Sequence, residues 1–519
     1  MFLAPCTADE VIQTTINLKN SKGIGLDGFS VPVIKQVISS ISTPLSAIFN
    51  KSLQSGIFPQ KLKIAKVIPV FKADDRMLIS NYRPISILPV FSKILEKIMY
   101  SRLQKFIDQQ KILCANQYGF REKHSTYLAL LNIIDYITEQ LDSKAFTIGI
   151  FIDLSKAFDT IDHTILLKKL DNYGIRGIAL DWFKSYLSNR MQSVEISGQV
   201  SSLKAITCGV PQGSILGPLL FILYINDIVR ISELMKFILF ADDTNLLLHD
   251  TNLQNLITKA NSEIQNISDW LKINKLSLNV KKTHYILFHF RQRKIPGNLD
   301  LKIDSLPVER VPSTKFLGVI LQENLSWKNH ISTLANKITK SIGVLRALQR
   351  KLPINILYML YNTLIYPYLQ YCNIAWGALS SVFTENLFIL QKKALRIVCK
   401  VPWNSHTSPI FSSQKNLKLV DINKLQTGCF MYNAMANNLP PQFKNYFVKN
   451  TQIHTHFTRQ SQQIHIYCPR TKVRKHSIKH FGSILWNSLP LVLKTKPSIN
   501  TFKSAYKNNL LFQYTALSS

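Results

Sequence analysis

Three observations predict an α+β fold. Helix-like stripes, with apolar residues three and four apart, alternate along the chain with short β-like runs. The apolar fraction of 46% is enough to bury a sizeable core. No internal repeat, low-complexity tract or long linker breaks the pattern, and a length of 519 residues admits roughly two to four subdomains of ~150 residues each.

Residues 1–60 read as a helical lead-in interrupted by a Gly-rich turn at KGIGLDGFS (22–30). From Lys61 the texture changes to short β-like runs with proline, as in AKVIPVFKADD (65–75). VFSKILEKIMYSRLQKFI (90–107) predicts a helix with Ile94, Ile98, Leu103 and Phe106 on one side. STYLALLNIIDYITEQL (125–141) predicts another, begun by a Ser or Thr cap. A strand, FTIGIFIDL (146–154), then runs into a second capped helix, SKAFDTIDHTILLKKL (155–170). Residues 209–228 give a Gly/Pro loop followed by an apolar helix, and 236–248 give a hairpin. A helix over 253–275 leads to the strand HYILFHF (284–290), a loop containing Pro296 and Gly297, and a further strand, KFLGVILQ (315–322). From Asn329 to Arg350 the pattern is again helical, with Ile331, Leu334, Ile338, Ile342 and Leu345 on one side and basic residues elsewhere.

Lys plus Arg is 63 against 30 acids, a net charge of +33, so a polyanionic partner is the first expectation. A membrane surface is the competing polyanion. Against it, no stretch reaches the ~18 consecutive apolar residues of a span, and Met1 opens no basic-then-apolar signal. The expectation is a soluble intracellular protein, of nucleus or cytoplasm. The seven cysteines are scattered without a CxxC pair, which predicts reduced core residues rather than a disulfide framework or zinc knuckle. No Asp or Glu follows Asp421, and histidines 454, 456, 465, 476 and 480 lie in that basic tail at no recognisable zinc spacing.

The chemistry begins with LFADDTNLL (239–247), two adjacent carboxylates between apolar runs. Burying an ionised carboxylate without a partner is costly or forces its protonation, and two together repel. An exposed Asp turn is the bland explanation; a resident cation is the other. Asp153 lies where an apolar strand ends and a helix is predicted to begin, a usual place for a functional group at a sheet edge. Alone, it reads equally well as a helix N-cap or first-turn acid, and Asp159 and Asp162 are assigned such structural roles. If the strand lies beside the hairpin, Asp153, Asp242 and Asp243 converge. Three carboxylates without His or Cys favour Mg²⁺ or Mn²⁺, and two such ions about 4 Å apart clamp the attacking and leaving oxygens of phosphoryl transfer.

In order along the chain, FIDLSKAFD (151–159), GVPQGSILGPLLFILYINDI (209–228) and FADD (240–243) resemble the palm motifs of reverse transcriptases. YRPISIL (82–88), QYGFREKHST (117–126) and KFLGVIL (315–321) resemble the form found in non-LTR retrotransposons of the jockey type. The resemblance runs from about residue 20 to the end. It implies a right-hand polymerase, with fingers and palm over 61–322, a thumb over 323–400 and a basic C-terminal region over 401–519. It implies that Asp153, Asp242 and Asp243 are the catalytic acids holding two Mg²⁺ ions, or Mn²⁺, with the Leu154 carbonyl an additional ligand.

Phe158 matches the bulky residue beneath the sugar of the incoming nucleotide, where it leaves no room for a 2′-hydroxyl; otherwise it is a core aromatic. Gly209, Pro211, Gln212 and Gly213 form a loop whose glycines let backbone approach a base pair, with Gln212 bonding the nascent pair. Lys72 and Arg83 are the residues to hold the triphosphate, Arg as a bidentate fork. Lys281 and Lys282 sit where the family keeps a lysine for leaving pyrophosphate, and which of them acts is open. Phe316, Leu317 and Gly318 belong to the hairpin that grips the primer end. Lys337, Lys340, Arg346 and Arg350 would face nucleic acid from the thumb, or else are a solvated helix face.

The implied activity is RNA-directed DNA polymerisation on an RNA template, extending a DNA primer with deoxynucleoside triphosphates; oligomeric state is left open. An RNA-dependent RNA polymerase should carry a small or hydrogen-bonding residue in place of Phe158. A catalytically inactive, nucleic-acid-binding relic or domesticated scaffold should show decay at the acids. Jockey-type proteins usually carry an endonuclease upstream, and Met1 lies just ahead of the GLDGFS segment that normally follows it, so no nicking activity is expected. Residues 422–519 contain no carboxylate, which excludes RNase H chemistry there; phosphate binding that weakens steeply with salt is expected instead. FGSILWNSLP (481–490) resembles the closing segment of these elements, which suggests a complete C-terminus.

Overall fold

The computed structural model describes all residues except 22, 291, 292, 294, 296–298, 379–380, 454–459 and 517–519. The predicted Pro296–Gly297 loop, His454 and His456 lie outside the described residues. The chain opens with helices α1 (Ala8–Ile16) and α2 (Val31–Ser55). A hairpin of β1 (Ile64–Phe71) and β2 (Tyr82–Ile87) follows, then α3 (Val90–Gln109) and α4 (Thr126–Asp142). Next come β3 (Phe146–Ile152), the short β4 (Leu154–Ser155), α5 (His163–Asn172), α6 (Ile178–Leu187) and strands β5 (Arg190–Ile196), β6 (Gln199–Val200) and β7 (Lys204–Ile206). Helix α7 (Gly217–Ile225), the hairpin β8 (Lys236–Phe240)/β9 (Asp243–Asp250), α8 (Leu253–Ile273), β10 (Ser277–Leu278) and β11 (His284–Phe288) complete this part. A small hairpin, Ser313–Phe316/Val319–Gln322, leads to α9 (Lys328–Leu348), beyond which the elements are helical.

The five-stranded central sheet runs Glu309–Arg310, β11, β3, β9, β8. Because side chains alternate across a strand, it feeds two cores. Ile148, Ile150, Ile152, Leu246 and Leu248 point into the first, shared with α1–α3 and α5–α8. Phe151, Leu247, Ile286 and Phe288 point into the second, shared with α4, α9 and the C-terminal helices. Burial on both faces fixes register, since a one-residue slip would exchange every side chain between the cores. A second sheet, β2-β1-β5-β6 with β7 on β5, pairs β1 antiparallel to β2 and parallel to β5.

Among the described helices α2 alone is long and apolar enough, by length and composition, to cross a membrane. Its Val31, Ile34, Ile38, Phe49 and Leu53 are buried in the first core, while most of its apolar window is not buried.

Three local expectations are corrected. The predicted helix over 155–170 starts only at His163: Lys156 has a left-handed φ of 49°, and the cap is Asp162, whose side chain accepts the Ile165 N–H at 3.0 Å. Residues 156–159 are a turn and Thr160 a bend. The single strand read from the local pattern over 315–322 is a hairpin, as the resemblance implies, folded at Leu317 and Gly318, φ 44° and 83°. Ser125 stands at the N-cap of α4 but makes no side-chain capping bond.

Candidate active site

The carboxylate hairpin is closed by the pair Phe240↔Asp243, leaving Ala241 and Asp242 as a two-residue loop. Ala241 has φ 56°, a conformation that needs support in a residue other than glycine. Gln117 supplies it: its Oε1 accepts the Ala241 N–H at 3.0 Å and the Gly119 N–H at 2.7 Å. The same segment is pinned to β8 by Tyr118 N–H to the Leu239 carbonyl (2.8 Å) and Leu239 N–H to the Asn116 carbonyl (2.9 Å). Gly119 is obligatory, because a Cβ would lie 2.3 Å from the Ala241 nitrogen.

Asp153 follows Ile152, which pairs with Thr244 in the antiparallel β3–β9 ladder. One further step along that register brings Asp153 level with Asp243. The turn between β10 and β11 straps it. The Asn279 N–H donates to the Asp153 carbonyl (2.9 Å), the Asn279 amide to Asp153 Oδ2 (3.1 Å), and the Asp153 N–H to Thr283 Oγ1 (3.3 Å). Lys281 and Lys282 stand exposed in this turn. Leu154 is buried in β4, paired with Leu278 of β10.

The three aspartates share one electrostatic field. Asp242 and Asp243 keep an exposed face at the hairpin tip, yet partial burial is the first cause that raises both. Asp243 is pushed up to about 6 by burial and by the charges of Asp242 and Asp153. Asp242 is raised by burial and by Asp153, against a backbone hydrogen bond and the opposing charges of Arg83 and Lys72. Lys72 and Arg83 are exposed on the β1–β2 hairpin, and their charges reach Asp242. None of the three aspartates has an ion-pair partner among the described residues. Among the described residues no three His, Cys, Asp or Glu side chains are gathered closely enough to hold a metal ion, so the expected convergence of Asp153, Asp242 and Asp243 is seen as a shared field and not as a formed metal site. An all-carboxylate donor set short of positive charge fits a hard divalent cation.

The 209–216 loop is wedged between the turn after Asp153 and β2. A Cβ on Gly209 (φ 81°) would meet the Asp159 carbonyl at 2.6 Å, and one on Gly213 (φ 130°) the Ser86 carbonyl at 2.3 Å. The Gln212 carbonyl accepts the Ser86 N–H (2.7 Å), and the Pro211 carbonyl accepts the Ser214 N–H (3.0 Å). Gln212 donates its side-chain amide to Asp159 at 2.8 Å, so Asp159, read from sequence as merely structural, orients a predicted site residue. Phe158 lies in the turn, half-buried, stacked on Phe221 at 4.6 Å and edge-on to Phe120 at 6.3 Å. Behind the loop, fully buried Glu96 accepts the Ile215 N–H (2.8 Å) and the Leu216 N–H (3.3 Å).

Further along, Phe316↔Val319 closes the second hairpin. Phe316 packs 6.1 Å from Phe151, and the Tyr371 hydroxyl donates to the Leu317 carbonyl at 2.7 Å. Lys337, Lys340 and Arg346 are exposed on α9 and Arg350 lies just past its end. Lys337 sits over the Tyr368 ring at 5.5 Å. The structure does not bring these four basic residues into contact with the aspartates.

Sequence reasoning missed Gln117, Gly119, Asn279 and Glu96 as positioning groups. Gln117 and Gly119 fall inside a quoted motif, and Asn279 heads a turn, which is a legible local preference. The partners of each are set by tertiary packing.

Carboxylates from adjacent antiparallel strands, opposed by the charges of Lys and Arg on a separate hairpin and flanked by a Gly-bounded loop, are the arrangement expected of a right-hand polymerase fold. Residues 70–321 match the family model described as reverse transcriptase (RNA-dependent DNA polymerase). The chain is 27% identical over 478 residues to the RNA-directed DNA polymerase from mobile element jockey of Drosophila melanogaster, covering 89% of this chain and 52% of that protein. It is 28% identical over 429 residues to the jockey polymerase of Drosophila funebris, covering 80% of this chain and 46% of that protein. The chain thus spans about half the length of the curated relatives it matches. A truncated apo telomerase from Candida tropicalis superposes with TM-score 0.36 at 14% identity, over 55% of this chain and 59% of that one, too loosely to bear on the site. Reverse transcriptases generally use divalent metals.

Proposed function

We propose that this chain is an RNA-directed DNA polymerase of a non-LTR retrotransposon, extending a DNA primer on an RNA template with deoxynucleoside triphosphates. The observation that carries the reading is the shared field of Asp153, Asp242 and Asp243, without an ion-pair partner among the described residues and opposed by the charges of Lys72 and Arg83. Two Mg²⁺ ions held by these aspartates, with the Leu154 carbonyl as a further donor, would supply Lewis acidity at the attacking and leaving oxygens.

The chain's own residues do the rest by positioning and by neutralising charge. Arg83 and Lys72 hold the triphosphate, and Lys281 or Lys282 delivers a proton to departing pyrophosphate. Phe158, braced by Phe221 and Phe120, lies beneath the sugar and excludes a 2′-hydroxyl. Gln212, oriented by Asp159, reads the nascent pair. The Phe316–Gly318 turn grips the primer end, and α9 with Lys337, Lys340, Arg346 and nearby Arg350 follows the duplex. In this reading residues 61–322 are fingers and palm, 323–400 the thumb and 401–519 a basic C-terminal region.

The test is primer extension by purified protein on an RNA template with Mg²⁺, beside Asp242→Asn. Extension by the unmodified chain alone supports the reading. A folded, nucleic-acid-binding chain that extends nothing sinks it, and equal extension by the variant exposes a contaminant.

A further inference from the structure

Away from the elements that carry the aspartates, a cleft of about 760 Å³ opens between the start of α4, residues 366–374, the helix Leu419–Met435 and the helix Ile499–Ala516. Tyr127, Tyr366 and Tyr371 line it, with Lys503 and Lys507 also on its wall, and none of the lining residues is an Asp or Glu. We propose that this cleft binds a single strand of nucleic acid, stacking a base on its tyrosines and seating the adjoining phosphates on Lys503 and Lys507. The proposal rests on the polymerase reading and adds to it a second strand-binding site.

The chemistry is specific to such a ligand. Tyrosine faces stack on any base, and lysines beside them follow the backbone, the combination used for single strands. The cleft carries uncompensated positive charge. Lys507 has its pKa lowered by burial and by the neighbouring charges of Lys503 and Lys415, and none of these three lysines has an ion-pair partner among the described residues. Cys372 and Cys429, also in the wall, are pushed up to about 11 by burial, so both remain neutral thiols and add no anion.

The place in the fold is equally informative. The hydroxyl of Tyr371 donates to the Leu317 carbonyl at the turn of the second hairpin, so one tyrosine belongs both to the cleft and to the support of that turn. That bond sets the cleft beside the turn of the second hairpin.

Fluorescence anisotropy of the full chain with short labelled single-stranded RNA and single-stranded DNA, in separate arms, tests this. Lys503→Ala/Lys507→Ala should weaken single-strand binding and reduce the slope of log affinity against log salt by about 1 to 2. Tyr366→Ala should weaken it by about 5- to 100-fold, the size of one lost base stack, while Tyr366→Phe should bind as the parent does. A strand bearing 4-thiouridine should crosslink to the peptide containing Tyr127 or Tyr366. Unchanged affinity in both the lysine and the Tyr366→Ala variants overturns the proposal, as does preferential binding of an acidic peptide at the cleft. Extension of a short primer–template is measured in parallel. Lost extension with intact strand binding at the cleft counts against the polymerase reading alone, and the reverse result against the cleft alone.

Discussion

One side-chain oxygen of Gln117 accepts the backbone N–H of Ala241, 124 residues away, at 3.0 Å, and so fixes the left-handed turn from which Asp242 projects. Removing that acceptor leaves the Ala241 and Gly119 N–H groups without it, a cost of about 1–3 kcal/mol for a buried donor. Gln117→Leu should therefore keep the fold but misplace the hairpin tip, lowering the extension rate by about 10- to 100-fold. Circular dichroism and single-turnover kinetics separate the two effects. Gly119→Ala, which drives a Cβ into the Ala241 nitrogen, should be worse than Gln117→Leu in the same assay.

Asn279 acts on the other carboxylate. Its amide holds Asp153 Oδ2 at 3.1 Å while its N–H holds the Asp153 carbonyl. Asn279→Ala removes only the side-chain bond. Groups that orient metal-binding carboxylates are worth about 10- to 100-fold in affinity or activity. A rise in the Mg²⁺ concentration needed for half-maximal extension, with little change in KM for the nucleotide, is the expected signature. An unchanged Mg²⁺ dependence would assign Asn279 to the turn alone.

Asp243 predicts a pH dependence of unusual sign. In the folded chain it titrates near 6, above its ordinary 3.8, so between those values the folded state binds more protons than the unfolded one. Metal-free stability then falls as pH rises through that window and stays lowered above it. Thermal melts in chelator should show this decline, and Asp243→Asn should flatten it. Because a cation competes with the proton, Mg²⁺ should raise Tm more at about pH 7.5 than at about pH 5.

Much of this site was legible in the sequence because its determinants are local. Asp242 and Asp243 between apolar runs predict a hairpin tip, and the alternation in FTIGIFID predicts a strand ending at Asp153. The failures also have physical causes. The helix expected from Ser155 was read from side-chain type, whereas the turn is set by Lys156 in a left-handed conformation and by a better cap at Asp162. Asp159 was read as structural because its partner, Gln212, lies 53 residues further on. Gln117 acts on backbone N–H groups and Asn279 on the carboxylate and carbonyl of Asp153, each in a distant segment, and no local pattern encodes those pairings.

Phe158 predicts sugar selection. It is braced by Phe221 and Phe120 and cannot swing aside without losing those contacts, so it presents a fixed wall. Phe158→Val should raise the efficiency of ribonucleotide incorporation relative to deoxynucleotide by at least about 10-fold, since the exclusion is a steric term against one substrate. Competing single-nucleotide incorporations measure the ratio directly. An unchanged ratio would reduce Phe158 to a core aromatic.

The C-terminal residues should be inseparable from the body that carries the aspartates. Arg474 and Asp135 are both buried, 339 residues apart, and the guanidinium also donates to the Asp135 carbonyl at 2.9 Å and to Thr138 at 3.0 Å. Lys479 adds a contact to Asp135 at 3.1 Å. Asp135 lies on α4, the helix that covers one face of the central sheet, and the same core continues into the C-terminal helices. Arg474→Ala would leave a buried carboxylate short of its main partner, a change that costs about 3–5 kcal/mol. Asp135→Asn alone leaves the guanidinium without its counter-charge and should be costly as well. The pair Asp135→Leu/Arg474→Met removes both charges and should recover much of the loss, as buried ion pairs often tolerate apolar replacement. Chemical denaturation of the four proteins compares these stabilities. A C-terminal region that were only an appended binding piece would instead allow Arg474→Ala to melt with the parent. It would also let residues 1–400 fold alone, which the shared second core forbids.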